Sequence, residues 1–128
     1  MHASAANLPP SFQEEAMSHY LVELYTPNAR WTALSAENRH QFLQGIQDAM
    51  GALSSMGVEV LTLAKVEPGI DQSSEHRFLG VWRFPNPQAR AGLLAGIQAS
   101  GWYEYFDHLN AAGASGDFAA HFADLVSA

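Results

Sequence analysis

The chain contains no cysteine, and Lys65 is its only lysine. Without cysteine there are no disulfides, no thiolate catalysis and no thiolate metal sites. Only six residues are Lys or Arg, against 13 Asp and Glu, so the net charge is −7. This balance leaves no basic patch to hold a phosphate backbone, and no nucleic acid partner is predicted.

Long apolar runs and reaction motifs are also missing. The apolar residues are spread along the chain, so no membrane span is predicted, and residues 1–16 lack the basic start and continuous apolar core of a secretory signal. These features predict a cytoplasmic protein. No nucleophile elbow, phosphate loop, metal signature or dinucleotide fingerprint occurs, so whether the protein is an enzyme stays open at this point.

The first half of the chain shows a strand, a helix and a second strand. The chain has 128 residues, of which 48% are hydrophobic and 15% are charged. This length and composition indicate one globular domain. Alternating residues at 19–26, closed by Pro27, indicate a strand. Apolar residues at helical spacing over 36–56 indicate an amphipathic helix that ends at Gly57, and 58–66 alternates again as a strand.

The second half repeats the order. A strand at 77–84 runs directly into Asn86 and Pro87, which are typical of a helix start. The second half of the aromatic stretch 102–110 predicts a short last strand. A terminal amphipathic helix follows over 118–126, and we expect it to dock on the core or on a partner subunit.

Three segments follow from these elements. Residues 1–17 form an N-terminal extension whose expected anchors are Leu8 and Phe12, residues 18–113 form the domain, and residues 114–128 form a C-terminal helix. The order strand, helix, strand, strand, helix, strand predicts the α+β ferredoxin-like fold (βαββαβ), a four-stranded antiparallel sheet with two helices on one face.

The other sheet face then needs a cover. We place Glu23 and Tyr25 of the first strand and Phe78, Trp82 and Phe84 of the third strand on that open face. A homodimer formed through the open sheet face would cover it and close two sheets around a shared cavity.

Three stretches carry a family resemblance: LYTP at 24–27, VWRFPN at 81–86 and the aromatic segment at 101–113. Over about residues 18–113, the chain resembles the dimeric α+β barrel superfamily, in a bacterial branch of unknown function. That superfamily includes cofactor-independent monooxygenases of polycyclic phenols, lactone isomerases, haem-binding enzymes and stress-response proteins. Trp82 matches a tryptophan that lines the cavity of the monooxygenases.

Candidate catalytic groups are few. Glu23 is predicted as a general base, since a carboxylate in an apolar cavity has a raised pKa; the alternative is a glutamate paired with Arg83 or Arg77. Asp107 and His108 offer an acid and an imidazole, but neighbouring strand residues point to opposite faces, so at most one of them faces the cavity.

The predicted ligand-binding residues are aromatic. They are Tyr25, Phe78, Trp82, Trp102 and Tyr105. Tyrosines at a dimer seam are an alternative explanation for part of this set. Gly80 leaves a gap between Phe78 and Trp82, which either relieves crowding under a helix or receives another group.

A metal or haem site is the next candidate, because His19, His76 and His108 fall on or beside strands. No short-range ligand spacing supports such a site, and His2, His40 and His121 are predicted on the surface. The sequence therefore predicts no metal and no cofactor.

Two functions stay open. In the first, a small-molecule-binding dimer takes a small aromatic or carbonyl compound and catalyses proton transfer or oxygenation without a cofactor. In the second, the barrel is filled by side chains and the protein is a non-catalytic binding or interaction module.

Overall fold

The computed structural model of the protein describes residues 17–128. The predictions for the N-terminal extension, including the anchors Leu8 and Phe12, and the prediction for His2 fall on residues 1–16. They therefore lie outside the described residues.

Four strands and five helices make up the described part of the chain. In order they are β1 (His19–Pro27), α1 (Ala29–Thr32), α2 (Ala36–Ser54), β2 (Glu59–Lys65), β3 (Phe78–Phe84), α3 (Pro87–Ala99), α4 (Trp102–Tyr105), β4 (Phe106–Ala114) and α5 (Phe118–Ser127). The strands form one sheet in the order β2-β3-β1-β4, and every neighbouring pair is antiparallel. This arrangement confirms the predicted ferredoxin-like fold.

The helix starts follow from local chemistry. The Ser35 side chain accepts a hydrogen bond from the backbone N–H of Asn38, and so caps α2. Asn86 caps α3 in the same way, with Pro87 at the first helical position, where its missing N–H costs nothing. Both caps were predicted from the sequence.

The core lies between α3 and the sheet. Leu21 of β1 pairs in register with Trp82 of β3, and both are buried together with Phe84. Ala89 and Leu93 are the buried residues of α3, and they belong to the same cluster. By contrast, α2 has no buried residue. Its apolar stripe packs only loosely on the sheet, which leaves space beneath it.

The assignment of the two sheet faces was wrong. The face with Glu23, Tyr25, Phe78, Trp82 and Phe84 is not the open one, because Leu21, Trp82 and Phe84 pack against α3 on this side. Both crossover helices therefore cover the face that we had expected a partner to cover.

The open face carries a different set of side chains, which alternate with the covered ones. Register pairs Val22 with Val81 and Leu24 with Leu79, while Leu109 of β4 lies beside Leu24. Val22 is 40% exposed and Leu109 is 59% exposed. The centre of the uncovered surface is thus apolar, while Asp107 and Arg83 lie towards its ends.

The C-terminal part of the chain departs from prediction in β4, and for α5 it removes one of the two predicted docking sites, which leaves a partner subunit. Strand β4 continues through the expected stop at Ala111–Gly113, because these residues pair with β1 opposite Tyr20, Leu21 and Val22. Helix α5 does not dock on the core of its own chain: every residue from 115 to 128 is exposed. No helix among residues 17–128 combines the length and apolar character needed to cross a bilayer.

Candidate functional site

A cavity of about 580 Å³ lies between α2 and the covered face of the sheet. On the helix side most of the lining side chains are apolar, namely Leu43, Ile46, Met50 and Leu53, and the polar Gln47 and Ser54 also line the cavity. The sheet side is lined by Glu23, Tyr25, Val60, Leu63 and Trp82, and Trp102 lines one end. The size and apolar character are those of a small-molecule pocket.

Glu23 carries the buried charge of this cavity. The residue is only 4% exposed, and its Oε2 atom accepts a hydrogen bond of 2.9 Å from Nε1 of Trp82. Its other oxygen, Oε1, is buried and has no hydrogen-bond partner among residues 17–128. A buried carboxylate with one free oxygen is costly to maintain, which makes it a candidate for function.

Gly80 makes room for this carboxylate. Glu23 and Gly80 face each other across the β1–β3 pair. A Cβ atom at position 80 would lie 2.9 Å from Oε2 of Glu23, closer than real Cβ contacts allow, and at a tight 3.2 Å from Nε1 of Trp82. The gap predicted at Gly80 is therefore filled by a hydrogen bond between two neighbouring side chains.

The environment raises the pKa of Glu23 above its ordinary value. The main cause is loss of solvent on burial, and the hydrogen bond from Trp82 and the nearby His108 oppose it in part. The alternative of an ion pair does not hold, since Arg83 pairs with Glu59 and the Arg77 guanidinium lies over the ring of Phe78. The raised pKa makes this carboxylate a stronger base than an exposed glutamate.

His108 stands beside Glu23 on β4. Its Nε2 atom lies 3.8 Å from Oε1 of Glu23, and both side chains are almost fully buried. Nδ1 of His108 accepts a 3.0 Å hydrogen bond from Nε1 of Trp102, and Nε2 lies 2.6 Å from Oδ1 of Asn110.

Tyr25 joins this group from β1. Its ring stacks on the His108 imidazole at 5.6 Å and meets Trp102 edge-on at 5.2 Å. Burial and the negative charge of Glu23 both raise the pKa of the Tyr25 phenol. Tyr25 therefore remains a neutral hydroxyl at physiological pH, and it adds a polar group to the sheet side of the cavity.

The structure brings only some of the predicted residues together. Glu23, Tyr25, Trp82 and Trp102 line the cavity, and His108 stands behind Glu23. The remaining predicted residues, Phe78, Tyr105 and Asp107, do not reach the cavity.

Phe78, Tyr105 and Asp107 each make contacts outside the cavity. Phe78 stacks on Tyr25 at 5.9 Å without lining the cavity. Tyr105 packs at 5.0 Å against Phe42 of α2. Asp107 pairs with Thr26 on the open face, where it is exposed, so the structure does not support it as a catalytic partner of His108.

The histidines do not converge. His19 lies at the start of β1, opposite Phe84, whereas Nδ1 of His76 lies 3.0 Å from the Thr26 hydroxyl near the other end of that strand. Within residues 17–128 no group of three or more His, Asp or Glu side chains is placed to hold a metal ion. His40 and His121 are exposed, as expected.

Sequence reasoning missed two parts of the site. The stripe of α2 that includes Ile46 and Met50 was interpreted as core, but it lines the cavity. Asn110 was not considered, although it lies two residues after His108 on the same strand face. The spacing of two in a strand is the signal that could have found it.

Solved structures with a similar fold include chlorite dismutases from Candidatus Nitrospira defluvii. A mutant chlorite dismutase is 16% identical with a TM-score of 0.63, and the alignment covers 91% of this chain and 52% of that one. The same enzyme in complex with imidazole is 17% identical with a TM-score of 0.63, covering 91% and 51%. This chain therefore spans about half of the length of these relatives.

A third similar structure is a heme-binding protein from Thermus thermophilus, 17% identical with a TM-score of 0.54, where 78% of this chain and 41% of that chain are covered. At these identities the likeness is one of fold. No curated protein matches the chain in sequence.

A family model covers nearly the whole described chain. It matches residues 18–128, which span the sheet, the five helices and every residue of the cavity. The chain therefore belongs to DUF6616, a family of unknown function.

Proposed function

We propose that the cavity under α2 binds a small, largely apolar aromatic or carbonyl compound and that Glu23 acts on it as a general base. The observation that carries this proposal is the buried, unpartnered Oε1 of Glu23 in a cavity lined by apolar side chains. The indoles of Trp82 and Trp102 and the ring of Tyr25 provide flat walls that suit an aromatic ligand.

The chemistry follows from the two oxygens of Glu23. Nε1 of Trp82 holds Oε2, so the carboxylate has a fixed orientation, and Oε1 remains free to take a proton. A raised pKa makes this carboxylate a stronger base than an exposed one. Of the two reactions that the sequence left open, proton transfer is the one that a buried carboxylate supports.

A haem group does not fit the residues of this cavity. Haem iron needs an axial imidazole, thiolate, thioether or phenolate. Of the histidines within residues 17–128, none lines the cavity, and both ring nitrogens of His108 are engaged by Trp102 and Asn110. Tyr25 has a raised phenol pKa, which opposes a phenolate ligand. The lining also has no Lys or Arg for the propionates, so we derive no step through haem.

The protein also acts, in this proposal, as a homodimer in the manner of a dimeric α+β barrel. The open face, with Val22, Leu24, Leu79, Val81 and Leu109, is an apolar surface that a second copy can cover about a two-fold axis. The ligand cavity is then not shared between the sheets, because it lies on the helix side of each subunit.

The proposed functional unit is residues 18–113, with residues 1–17 as an extension and residues 114–128 as an appended helix. We keep a cytoplasmic location as part of the proposal, on the grounds of composition given above. The similar fold of the chlorite dismutases and of the heme-binding protein supports residues 18–113 as the functional unit. The proposed base chemistry rests on Glu23 and not on that similarity.

The proton-transfer role is tested with nitrobenzisoxazole, a flat apolar probe that opens to a coloured cyanophenolate when a base removes its C–H proton. We expect the wild-type protein to accelerate this opening and Glu23→Gln to lower kcat/KM by about a hundredfold or more. Glu59→Gln is the matched control, because Glu59 is an exposed carboxylate paired with Arg83. Circular dichroism checks that both variants fold.

Equal rates for the wild type and Glu23→Gln would contradict the base role. Saturable binding of the probe, seen as quenching of tryptophan fluorescence, with no Glu23-dependent turnover would instead favour a non-catalytic binding protein that uses the open cavity of about 580 Å³. If the probe neither binds nor reacts, the result would favour the alternative of a non-catalytic interaction module with a filled barrel.

A further inference from the structure

Four side chains in and behind the cavity wall form a chain of contacts that runs from Trp82 through Glu23 and His108 to Trp102. We propose that Trp102 and Asn110 fix His108 in the tautomer that carries hydrogen on Nε2, and that His108 is a positioning residue that donates this N–H to Glu23 when Glu23 is ionised. The ionised carboxylate would then have two donors, one for each oxygen. This inference rests on Glu23 being the proposed base.

The tautomer follows from the donors present. An indole Nε1–H can only donate, so the 3.0 Å contact from Trp102 requires a bare Nδ1 on the neutral imidazole. The hydrogen of the neutral ring is therefore on Nε2, which donates to Oδ1 of Asn110 at 2.6 Å. In the other tautomer, the hydrogens on Nδ1 of His108 and Nε1 of Trp102 would point at each other. The bare Nε2 would then face Oδ1 of Asn110, so that two acceptors would be in contact.

The single hydrogen on Nε2 is held by Oδ1 of Asn110, and Oε1 of Glu23 is a second acceptor near enough to share it or to take it over. Oε1 of Glu23 lies 3.8 Å away, just beyond hydrogen-bond length, and it has no other partner. A displacement of under about 1 Å would bring this oxygen within hydrogen-bond length of Nε2. Because Nε2 already carries its hydrogen, His108 cannot take the proton from Glu23, and no bond to hydrogen is made or broken between them. His108 stabilises the charge while the proton itself is exchanged with the ligand.

Few other ionisable groups bear on Glu23. On its own strand, Tyr25 is the nearest, and its phenol is neutral at physiological pH because Glu23 and burial raise its pKa. Gly80 and Trp82 on β3, Leu63 on β2 and the apolar lining of α2 contribute no charge. On β4 the facing group is His108. The titration of Glu23 is therefore set mainly by burial and by the two N–H donors.

The test measures the titration of Glu23 directly, by carboxyl-carbon NMR, in the wild-type chain and in single variants. His108→Phe removes the second donor and keeps a ring, so we expect a further rise in the pKa of Glu23. Trp102→Phe keeps the stack on Phe106 at 3.9 Å but frees the tautomer, so we expect a smaller rise. His108→Gln keeps an N–H donor and should restore part of the wild-type value. His76→Phe is the control, because His76 bonds Thr26 away from the cavity.

NMR of the imidazole nitrogens in the wild type reports the tautomer without any variant, so the test survives if a variant fails to fold. A wild-type His108 with hydrogen on Nδ1 would overturn the proposal, as would a Glu23 titration that is the same in His108→Phe and the wild type. These results are independent of turnover. A protein that opens nitrobenzisoxazole no faster than Glu23→Gln, yet shows the expected NMR shifts, would remove the base function and leave this inference standing.

Discussion

Replacing Gly80 by alanine is the smallest change that tests how the site is built. The added methyl group would lie 2.9 Å from Oε2 of Glu23, 3.1 Å from Cδ2 of Leu63 and 3.2 Å from Nε1 of Trp82. Leu63 is 56% exposed and can move aside, but Glu23 and Trp82 are buried and hold each other. The methyl group can therefore be accommodated only by separating the carboxylate from the indole.

The loss of folding stability in Gly80→Ala can be calculated roughly from these contacts. Overpacking a buried site costs about 1–3 kcal/mol, and losing a hydrogen bond to a charged group costs about 1.5–3 kcal/mol. If Glu23 and Trp82 separate, the overpacking is relieved but their hydrogen bond is lost. Only one of the two costs therefore applies, and they do not add. The lower chain entropy of alanine returns about 0.5–1 kcal/mol. We expect a net loss of about 1–2 kcal/mol in the free energy of unfolding, and a drop in Tm of roughly 3–10 °C.

Urea denaturation followed by tryptophan fluorescence measures this loss, and Gly96→Ala is the matched control. Gly96 lies in α3 with nothing within 4 Å of an added Cβ, so its replacement should stabilise the protein by about 0.5–1 kcal/mol. In the double variant Gly80→Ala, Glu23→Ala the oxygen in the way is gone, so the two changes should couple by about 1 kcal/mol or more. A Gly80→Ala protein as stable as Gly96→Ala, or additive costs in the double variant, would refute this account of the site.

Three further predictions concern pH, assembly and haem. The pKa of Glu23 is raised in the folded protein, so its contribution to stability is fully present below pH 4.5, the ordinary pKa of a glutamate, and is lost as the pH rises through the pKa of the folded state. Over that pH range, urea denaturation should show the wild type losing stability relative to Glu23→Gln. Leu109→Lys on the open face should shift the dimer to monomer in analytical ultracentrifugation, whereas Met56→Lys, at an apolar residue that is 49% exposed outside the sheet, should not. Finally, titration with hemin should give no one-to-one complex, and a complex whose Soret band is lost in Tyr25→Phe would show that the cavity does accept haem.

Local pattern by itself determined the elements of the fold. The capping side chain of Ser35, the Asn86–Pro87 start and the alternation in β1 and β3 act over a few residues, so they can be recognised without knowing the partners. From the order of these elements the ferredoxin-like sheet followed, because sequential strands and right-handed crossovers leave few other arrangements. Glu23 was also a candidate from the sequence, since a carboxylate among apolar strand residues is unusual; the structure buries it, and its role as a base stays a prediction.

Tertiary structure alone decided which face of the sheet is covered. Both faces of β1 carry apolar residues, such as Leu21 on one and Val22 on the other, so alternation could not distinguish them. The choice was made by the packing of α3 on Leu21, Trp82 and Phe84, which joins segments that lie far apart in the chain.

The sequence pattern also could not show which side chains meet in the candidate site. Register across β1 and β3 sets Glu23 opposite Gly80, and register across β1 and β4 sets His108 opposite Tyr25. A shift of one residue in either pair would send these side chains to the other face. The sequence therefore determined which groups were available for chemistry, while pairing between distant strands decided which of them meet, because strand register depends on the packing of the whole domain.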